Sequence, residues 1–291
     1  MKLKPPPKYI TENIGALLVG MFIARALSAF SVILISRHLG PDSFGQYAAS
    51  LSIVRLSSIF FTLGLDSWLL RLGGRERQRV GDFGIASLVL KVFFGVIWLV
   101  FVMLLTPILD PDTFSPALLF LAALSVWFEE IARIGWSTFK AALQNKITLV
   151  LTVGAEVLLV FMTVILSVLN IGSAELYLLG RTIVFFVAGI MSSVLMVRTF
   201  GSRFHISDAL FALKDTPPFG MSVALATIYG QADVTIIAHW LGKTSTGLYS
   251  PAISLASALF LIPAAIYNVM LPVLSQSDAD SAIKARYLSL S

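Results

Sequence analysis

The chain has 291 residues, of which 57% are hydrophobic and only 13% are charged. Because a typical water-soluble domain has about 25% charged residues, this composition excludes a soluble enzyme and indicates an integral membrane protein. The absence of cysteine excludes disulfides, thiolate nucleophiles and iron–sulfur clusters. A net charge of +5 does not indicate a nucleic-acid partner, because the basic residues lie between apolar segments instead of along one polar face.

The predicted elements are transmembrane helices, because eight segments each contain about 20 mostly apolar residues. Turn-forming residues such as Gly40, Pro41 and Asp42 separate consecutive segments. The predicted spans are residues 14–36, 44–65, 83–105, 116–139, 147–169, 174–197, 219–241 and 248–271. The sequence therefore predicts an all-α, multi-pass membrane protein with about eight helices.

Lysine and arginine residues are distributed unevenly among the predicted loops. With a cytoplasmic N-terminus, fourteen of them fall on the cytoplasmic side, and Arg37 and Lys243 fall outside. Cytoplasmic loops carry an excess of basic residues, so we expect both termini to be cytoplasmic in a cell (plasma or inner) membrane. The first apolar run resembles a cleavable signal, but Arg25 interrupts it and the run continues to spanning length, so we expect it to be retained.

A weak internal repeat relates residues 35–53 to residues 237–255 at a constant offset of 202. Seven of the nineteen aligned positions are identical, and they include the pair Gly40 and Gly242. Chance similarity between two helix–glycine–helix turns is the alternative explanation. Because transporters are often built from duplicated bundles, we favour a true repeat.

The repeat predicts two units of unequal length. Residues 1–217 are expected to form a six-helix transmembrane bundle, and residues 218–291 are expected to hold the first two helices of an incomplete second bundle. Alternating access requires two bundles around one site. On this basis the chain is expected to be poorly stable alone or to recruit a partner that supplies the missing helices.

Several stretches also resemble a known family: LGPDSFGQY followed by GLDSWLLR, the segment from Asp233 into LGKTSTGLYSPAISL, and LPVLS. They are similar to Wzx-type polysaccharide-biosynthesis flippases of the multidrug/oligosaccharidyl-lipid/polysaccharide (MOP) exporter superfamily. The resemblance implies twelve or more helices in two bundles, with a fold like that of MATE transporters. It also implies a transporter without catalytic activity that moves lipid-linked oligosaccharide from the inner to the outer leaflet by alternating access.

Ionisable residues inside the predicted spans are functional candidates, because a charge at mid-membrane costs at least about 2.5 to 3.5 kcal/mol. Arg25 and Arg55 lie near the middle of the first two spans, and Ser52 and Ser58 share a helical face with Arg55. Guanidinium groups offer fixed, paired donors to phosphate. We therefore predict that these four residues bind an anionic lipid-linked glycan of the polyprenyl diphosphate type. Structural ion pairing of the two arginines is the alternative.

Other residues inside the spans are predicted to couple ions or to form structural ion pairs. Glu129 precedes Arg133 by four residues, the favourable order for a pair within one helix. Lys91 and Glu156 lie at similar depth in their spans. These two residues are expected to pair across helices, unless Glu156 carries a coupling proton or sodium ion.

Two further pairs of polar residues are candidates for cation sites. Asp233 and Gln231 form a candidate site in the seventh span. Asp110 and Asp112 resemble the DxD pair of glycosyltransferases, but the predicted topology places them outside, where a surface turn is the simpler interpretation. The sequence contains no Walker loop, G-x-S-x-G or H-E-x-x-H motif. It therefore predicts no metal, no cofactor and no ATP-driven transport.

Three alternatives to a flippase remain open. The first is a multidrug or cation antiporter of the same superfamily. A carboxylate at mid-depth in the first span would indicate such a protein, but Arg25 lies there instead. A membrane-embedded glycan polymerase or ligase would usually have a large outer loop, whereas the predicted outer loops are short. A structural or assembly subunit is the least specific alternative, and buried basic residues that lack packing partners would count against it.

Overall fold

The computed structural model describes the backbone of residues 7–170, 172–201 and 203–259, and the side chains within this part from residue 20 to residue 256. The end of the eighth predicted span, the LPVLS segment and the basic residues Lys2, Lys4, Lys284 and Arg286 lie outside this part of the chain. All the regular structure that it contains is helical. The helices are α1 (Pro7–Ser57), α2 (Ile59–Thr62), α3 (Leu65–Arg75), α4 (Val80–Leu105), α5 (Pro116–Ala141), α6 (Asn145–Val168), α7 (Ala174–Phe200), α8 (Ile206–Asp215) and α9 (Pro217–Leu259).

Most of these helices are suited to a lipid environment. Five stretches of the described chain are long and apolar enough to cross a membrane, and large apolar side chains such as Phe93 and Phe161 point outward from them. The five stretches are Gly20–Ser57, Arg77–Ile108, Asn145–Val168, Ala174–Phe200 and Pro217–Ala256. Helix α5 has 26 residues, which is also enough to span, but it carries charged residues. The chain is thus a multi-pass, all-α membrane protein, as predicted.

Helix α1 contains the first predicted span and most of the second, which ends in α2 and at the start of α3; α9 contains the seventh span and the described part of the eighth. A glycine with a left-handed φ interrupts each helix: Gly40 has φ 72° and ψ 174°, and Gly242 has φ 74° and ψ −175°. Residues with a side chain rarely adopt these angles, so the glycines allow the chain to turn between two helical segments. With α4 to α7 matching the third to sixth spans, helix is present at all eight predicted positions as far as residue 259.

The two glycine turns pack against each other reciprocally. A Cβ atom on Gly45 would meet the backbone carbonyl of Lys243, and a Cβ atom on Gly247 would meet the backbone carbonyl of Pro41. Each contact is the counterpart of the other under the offset of 202. Thr244 also donates a hydrogen bond of 2.6 Å to the residue 202 positions before it, Asp42.

This reciprocity supports the internal repeat. A residue that contacts its own repeat counterpart lies on a pseudo-two-fold axis, and duplicated transporter bundles are related by such an axis. The two turns were aligned only from sequence identity, and their dihedral angles agree closely. The division of the chain into two bundles at residue 217 remains a prediction.

Helix α5 occupies a central position, in contact with α1, α3, α4, α6 and α7. Small residues let α7 approach it closely, since a Cβ atom on Gly135 would lie 2.7 Å from the Cβ of Ser192. Two short helices that the sequence analysis did not predict, α3 and α8, are too short to span a membrane. They are linked where the indole of Trp68 donates a hydrogen bond of 3.1 Å to Asp215, the last residue of α8.

Candidate functional site

Glu129 of α5 is the centre of a buried ion cluster. Its carboxylate accepts from Arg133 on the same helix at 2.8 Å, from Arg181 on α7 at 2.5 Å and from Arg55 on α1 at 3.1 Å. The pair of Glu129 and Arg133 is therefore confirmed, but it is only part of a larger arrangement. One carboxylate shared by three guanidinium groups leaves a local excess of positive charge.

A second group of charges adjoins this cluster. Lys91 of α4 is fully buried and donates to Asp66 of α3 at 3.1 Å and to Glu130 of α5. Arg133 joins the two groups, because it also lies 3.5 Å from Glu130. The predicted pairing of Lys91 with Glu156 is thus wrong. Helices α3 and α5 pack directly on α4 and supply its carboxylate partners.

A cavity of about 680 Å³ lies beside the Glu129 cluster. Arg25 and Arg55, the two arginines of the predicted anion site, both line it, and Glu156 also lines it. That they bind an anion remains a prediction. Its charged lining residues are Arg25, Arg55, Arg133, Lys140 and Arg181 on the basic side, and Asp66, Glu129 and Glu156 on the acidic side. Five basic groups against three carboxylates make the cavity cationic.

The helices present one face each to this cavity. Glu129, Arg133, Trp136 and Lys140 are spaced at three and four residues along α5, which places them on one helical face. The spacing of seven residues between Arg133 and Lys140 was visible in the sequence, and it would have identified this face of α5. Arg181 had the signal of a charge inside a predicted span, whereas Asp66 lies just beyond the end of the second span and had none. That both belong to this cavity depends on helix packing, because they come from separate helices.

A smaller cavity of about 180 Å³ lies on the α9 side of the same cluster. Arg55, Glu129 and Arg133 line both cavities, and Ser58 and Gln231 line the smaller one. Arg55 reaches Glu129 through one nitrogen, Nη2, and its side chain is 34% exposed. It therefore retains accessible donors between the two cavities.

Ser52, a predicted site residue, lies elsewhere. It is buried and accepts a hydrogen bond of 3.2 Å from Thr235, so it belongs to the contact between α1 and α9 and lines neither cavity. The expectation that the whole polar stripe of the second span faces a cavity is wrong for this residue. Side chains on one face of a helix can have different surroundings, because a neighbouring helix can pack on one part of that face while another part lines a cavity.

Asp233 and Gln231 do not form a joint site. Asp233 accepts a hydrogen bond of 2.8 Å from Tyr249, whereas Gln231 faces the smaller cavity. Residues two positions apart on a helix point in very different directions, which explains the separation. Among the residues with described positions, no group of three or more histidines and carboxylates could hold a metal ion.

The Asp110 region forms a turn, as the simpler interpretation predicted. Asp110 accepts hydrogen bonds from the Thr113 hydroxyl at 2.8 Å and from backbone amides, and Asp112 pairs with Lys243 at 2.8 Å. The hydrogen bond from Thr113 and the one from the Asp112 backbone lower the pKa of Asp110 below its ordinary value. Asp110 therefore stabilises the turn itself, and Asp112 links the turn to α9.

Comparison with known proteins identifies the family. A model of the family described as "Polysaccharide biosynthesis protein" matches residues 10–278, which is most of the chain. The chain belongs to this family. The resemblance inferred from its sequence, to Wzx-type members of the MOP superfamily, is confirmed.

A curated relative and two solved structures extend this family assignment. The succinoglycan biosynthesis transport protein ExoT of Rhizobium meliloti (strain 1021) is 24% identical over 289 residues, which are 98% of this chain and 57% of ExoT. The MATE multidrug transporter DinF-BH superposes with a TM-score of 0.65 at 17% identity, covering 94% of this chain and 66% of that one. A MOP superfamily transporter from Pyrococcus furiosus gives a TM-score of 0.56 at 14% identity, covering 88% and 64%.

These comparisons establish the fold as that of MOP and MATE transporters. The chain spans slightly more than half the length of ExoT. The comparisons therefore show the family and the fold. Activity and substrate are inferred from the residues that line the cavity.

Proposed function

We propose that this chain is a flippase component that moves anionic lipid-linked oligosaccharides from the inner to the outer leaflet by alternating access. The observation that carries the proposal is the cationic cavity, in which Arg25, Arg55, Arg133 and Arg181 outnumber the nearby carboxylates. The description of ExoT as a succinoglycan biosynthesis transport protein supports a glycan precursor as the cargo.

Physical chemistry favours a diphosphate as the bound group. An anion that leaves water for a membrane interior needs fixed donors and opposite charge to replace its hydration. Guanidinium groups supply both, and they bind phosphate oxygens through parallel hydrogen bonds. A volume of about 680 Å³ lies within the range of about 300–1,000 Å³ that is usual for small-ligand sites. The cavity can thus hold a headgroup while the lipid chain stays in the bilayer.

The same observation disfavours the antiporter alternative. A cationic drug in this cavity would meet five basic side chains, and repulsion in a low-dielectric site is strong. The similarity to DinF-BH concerns the fold, since only 17% of the aligned residues are identical. We further propose that the chain is a transporter and not a glycan polymerase or ligase, in line with the name of its relative ExoT.

For orientation, we propose the topology with cytoplasmic termini that the loop charges predict. In that orientation the packed turns at Gly40 and Gly242 lie at the outer surface, and the turn between α5 and α6 lies at the inner surface. A conformation closed outside and open inside is the one that accepts cargo from the inner leaflet. The two-bundle organisation remains a prediction of the same scheme.

Binding of a lipid diphosphate to the purified chain tests the proposal. Arg25→Ala and Arg55→Ala variants would be compared with wild type in detergent micelles, using polyprenyl diphosphate as the ligand. A hydrogen bond that involves a charged group contributes about 1.5–3 kcal/mol, so each variant should bind roughly 10- to 100-fold more weakly.

Arg37→Ala is the matched control, because Arg37 lies on the same helix as Arg25 but is exposed and lines neither cavity. This control should bind like wild type. If the two cavity variants also bind like wild type while remaining monodisperse, the cavity is not the anion site and the proposed function loses its basis.

A further inference from the structure

The large cavity has two chemically different levels. Helices α5 and α6 are joined by a short turn at residues 142–144, so distance along each helix from this turn measures depth in the cavity. Glu129, Arg133 and Glu156 lie far from the turn and are charged. Nearer the turn the lining side chains from α5 and α6 are mostly uncharged, with Lys140 as the exception: Trp136, Ser137, Lys140, Thr148, Leu149 and Thr152.

Trp136 presents carbon atoms to the cavity. Its ring is half-buried and lines the cavity, but its indole nitrogen is buried and has no hydrogen-bond acceptor in the described part of the chain. The part of the side chain that faces the cavity is therefore the apolar surface of the ring. An apolar aromatic surface beside hydroxyl and charged side chains suits the C–H face of a pyranose ring.

The threonine hydroxyls near Trp136 are arranged as hydrogen-bond acceptors. Thr152 donates its proton to the carbonyl of Thr148 at 2.8 Å, and Thr148 donates its proton to the carbonyl of Trp136 at 3.3 Å. Each hydroxyl proton is thus used within the protein, while the oxygen lone pairs remain. Sugar hydroxyls are good donors to such oxygens.

We propose that this level of the cavity, formed by Trp136, Thr148 and Thr152, is a sugar subsite that selects the glycan part of the cargo. The proposal rests on the proposed function, since it assigns the neighbouring arginines to the diphosphate. The first sugar would lie against Trp136 with its hydroxyls directed at α6. The diphosphate would extend away from the α5–α6 turn, toward Arg25 and Arg181.

A structural role for Trp136 makes a different prediction. The ring also packs against a cluster of buried apolar residues from α5, α6 and α7, and tryptophan is common at membrane interfaces. If packing were its whole function, substitution would affect all ligands equally. The useful readout is therefore the ratio of two affinities and not one affinity alone.

The experiment compares polyprenyl diphosphate with the same lipid carrying an oligosaccharide. In Trp136→Leu, which keeps an apolar side chain, the ratio of glycosylated to sugar-free affinity should fall about 3- to 10-fold, since aromatic contacts contribute about 0.5–1.5 kcal/mol. Trp136→Phe should restore most of the ratio because it restores a ring. Thr152→Val, which removes one acceptor at nearly constant volume, should lower the ratio by about 2- to 10-fold.

Val150→Ala is the control on α6, since Val150 is 66% exposed and lines neither cavity, and it should leave the ratio unchanged. An unchanged affinity ratio in Trp136→Leu would refute the sugar subsite, and so would equal ratios in Trp136→Leu and Trp136→Phe. If wild type still binds the sugar-free lipid, the proposed function stands. If wild type binds neither lipid, both proposals fail.

Discussion

The Glu129→Gln substitution removes the carboxylate that three arginines share. Arg133 keeps Glu130 at 3.5 Å, and Arg55 is 34% exposed, so water and a second carboxylate offset part of their loss. Arg181 is only 8% exposed at its side chain and loses its partner at 2.5 Å. Most of the cost therefore falls on Arg181.

The size of this cost follows from that burial. Removing one partner of a buried ion pair costs about 3–5 kcal/mol, because the remaining charge is left uncompensated. The partly exposed Arg55 adds less than about 1 kcal/mol, as for surface pairs. Gln has nearly the same shape as Glu, so no packing cavity contributes. The variant should thus be about 3–5 kcal/mol less stable than wild type.

Added pyrophosphate should reverse part of the loss if the arginines form an anion site. Binding to the folded state alone stabilises it by about 2.7 kcal/mol when the ligand is present at about 100 times its Kd. The assay is the fraction of monodisperse protein after heating in mild detergent, with and without pyrophosphate. The midpoint should fall in Glu129→Gln and recover with the anion.

Glu76→Gln is the control for this experiment. Glu76 is 50% exposed and lies 3.5 Å from Arg79, so its loss should change stability by no more than about 0.5 kcal/mol. A Glu129→Gln protein as stable as wild type without pyrophosphate would contradict the buried cluster. Loss of stability that pyrophosphate does not reverse would contradict the anion site.

The remaining predictions concern packing, charge burial and topology. Gly247→Ala should destabilise the chain by about 1–3 kcal/mol, because the added Cβ meets a backbone carbonyl. Gly230→Ala adds a Cβ that faces open space and should stabilise helix α9 by up to about 1 kcal/mol. Equal shifts of the two thermal midpoints would refute this expectation. Lys91→Met should cost about 3–5 kcal/mol, because it removes the buried cation shared by Asp66 and Glu130 and leaves Glu130 with the longer pair to Arg133 at 3.5 Å. A wild-type midpoint would show that these carboxylates are not charged. With cysteine placed singly at Arg77 or Asp112, an impermeant thiol reagent should label only position 112 in intact cells, and the opposite result would invert the topology.

Much of this architecture follows from local sequence properties. Hydrophobic segments of about 20 residues predict spanning helices without knowledge of their neighbours, because lipid requires each backbone group to bond within its own helix. The glycine turns at Gly40 and Gly242 were likewise visible, since they recur at a constant offset and in similar contexts. Local periodicity also placed Glu129 and Arg133 together, because residues four apart on a helix are neighbours.

What the tertiary structure decided is which helices meet and therefore which charges pair. Lys91 and Glu156 have similar depth in their spans, but Lys91 pairs with Asp66 and Glu130 because α3 and α5 pack on α4. Ser52 shares a face with Arg55, but it lies against Thr235 of α9 because the repeated turns bring α1 and α9 into contact. Depth and helical face are properties of a single helix, whereas an ion pair depends on the rotation and neighbours of two helices, and only their packing determines both.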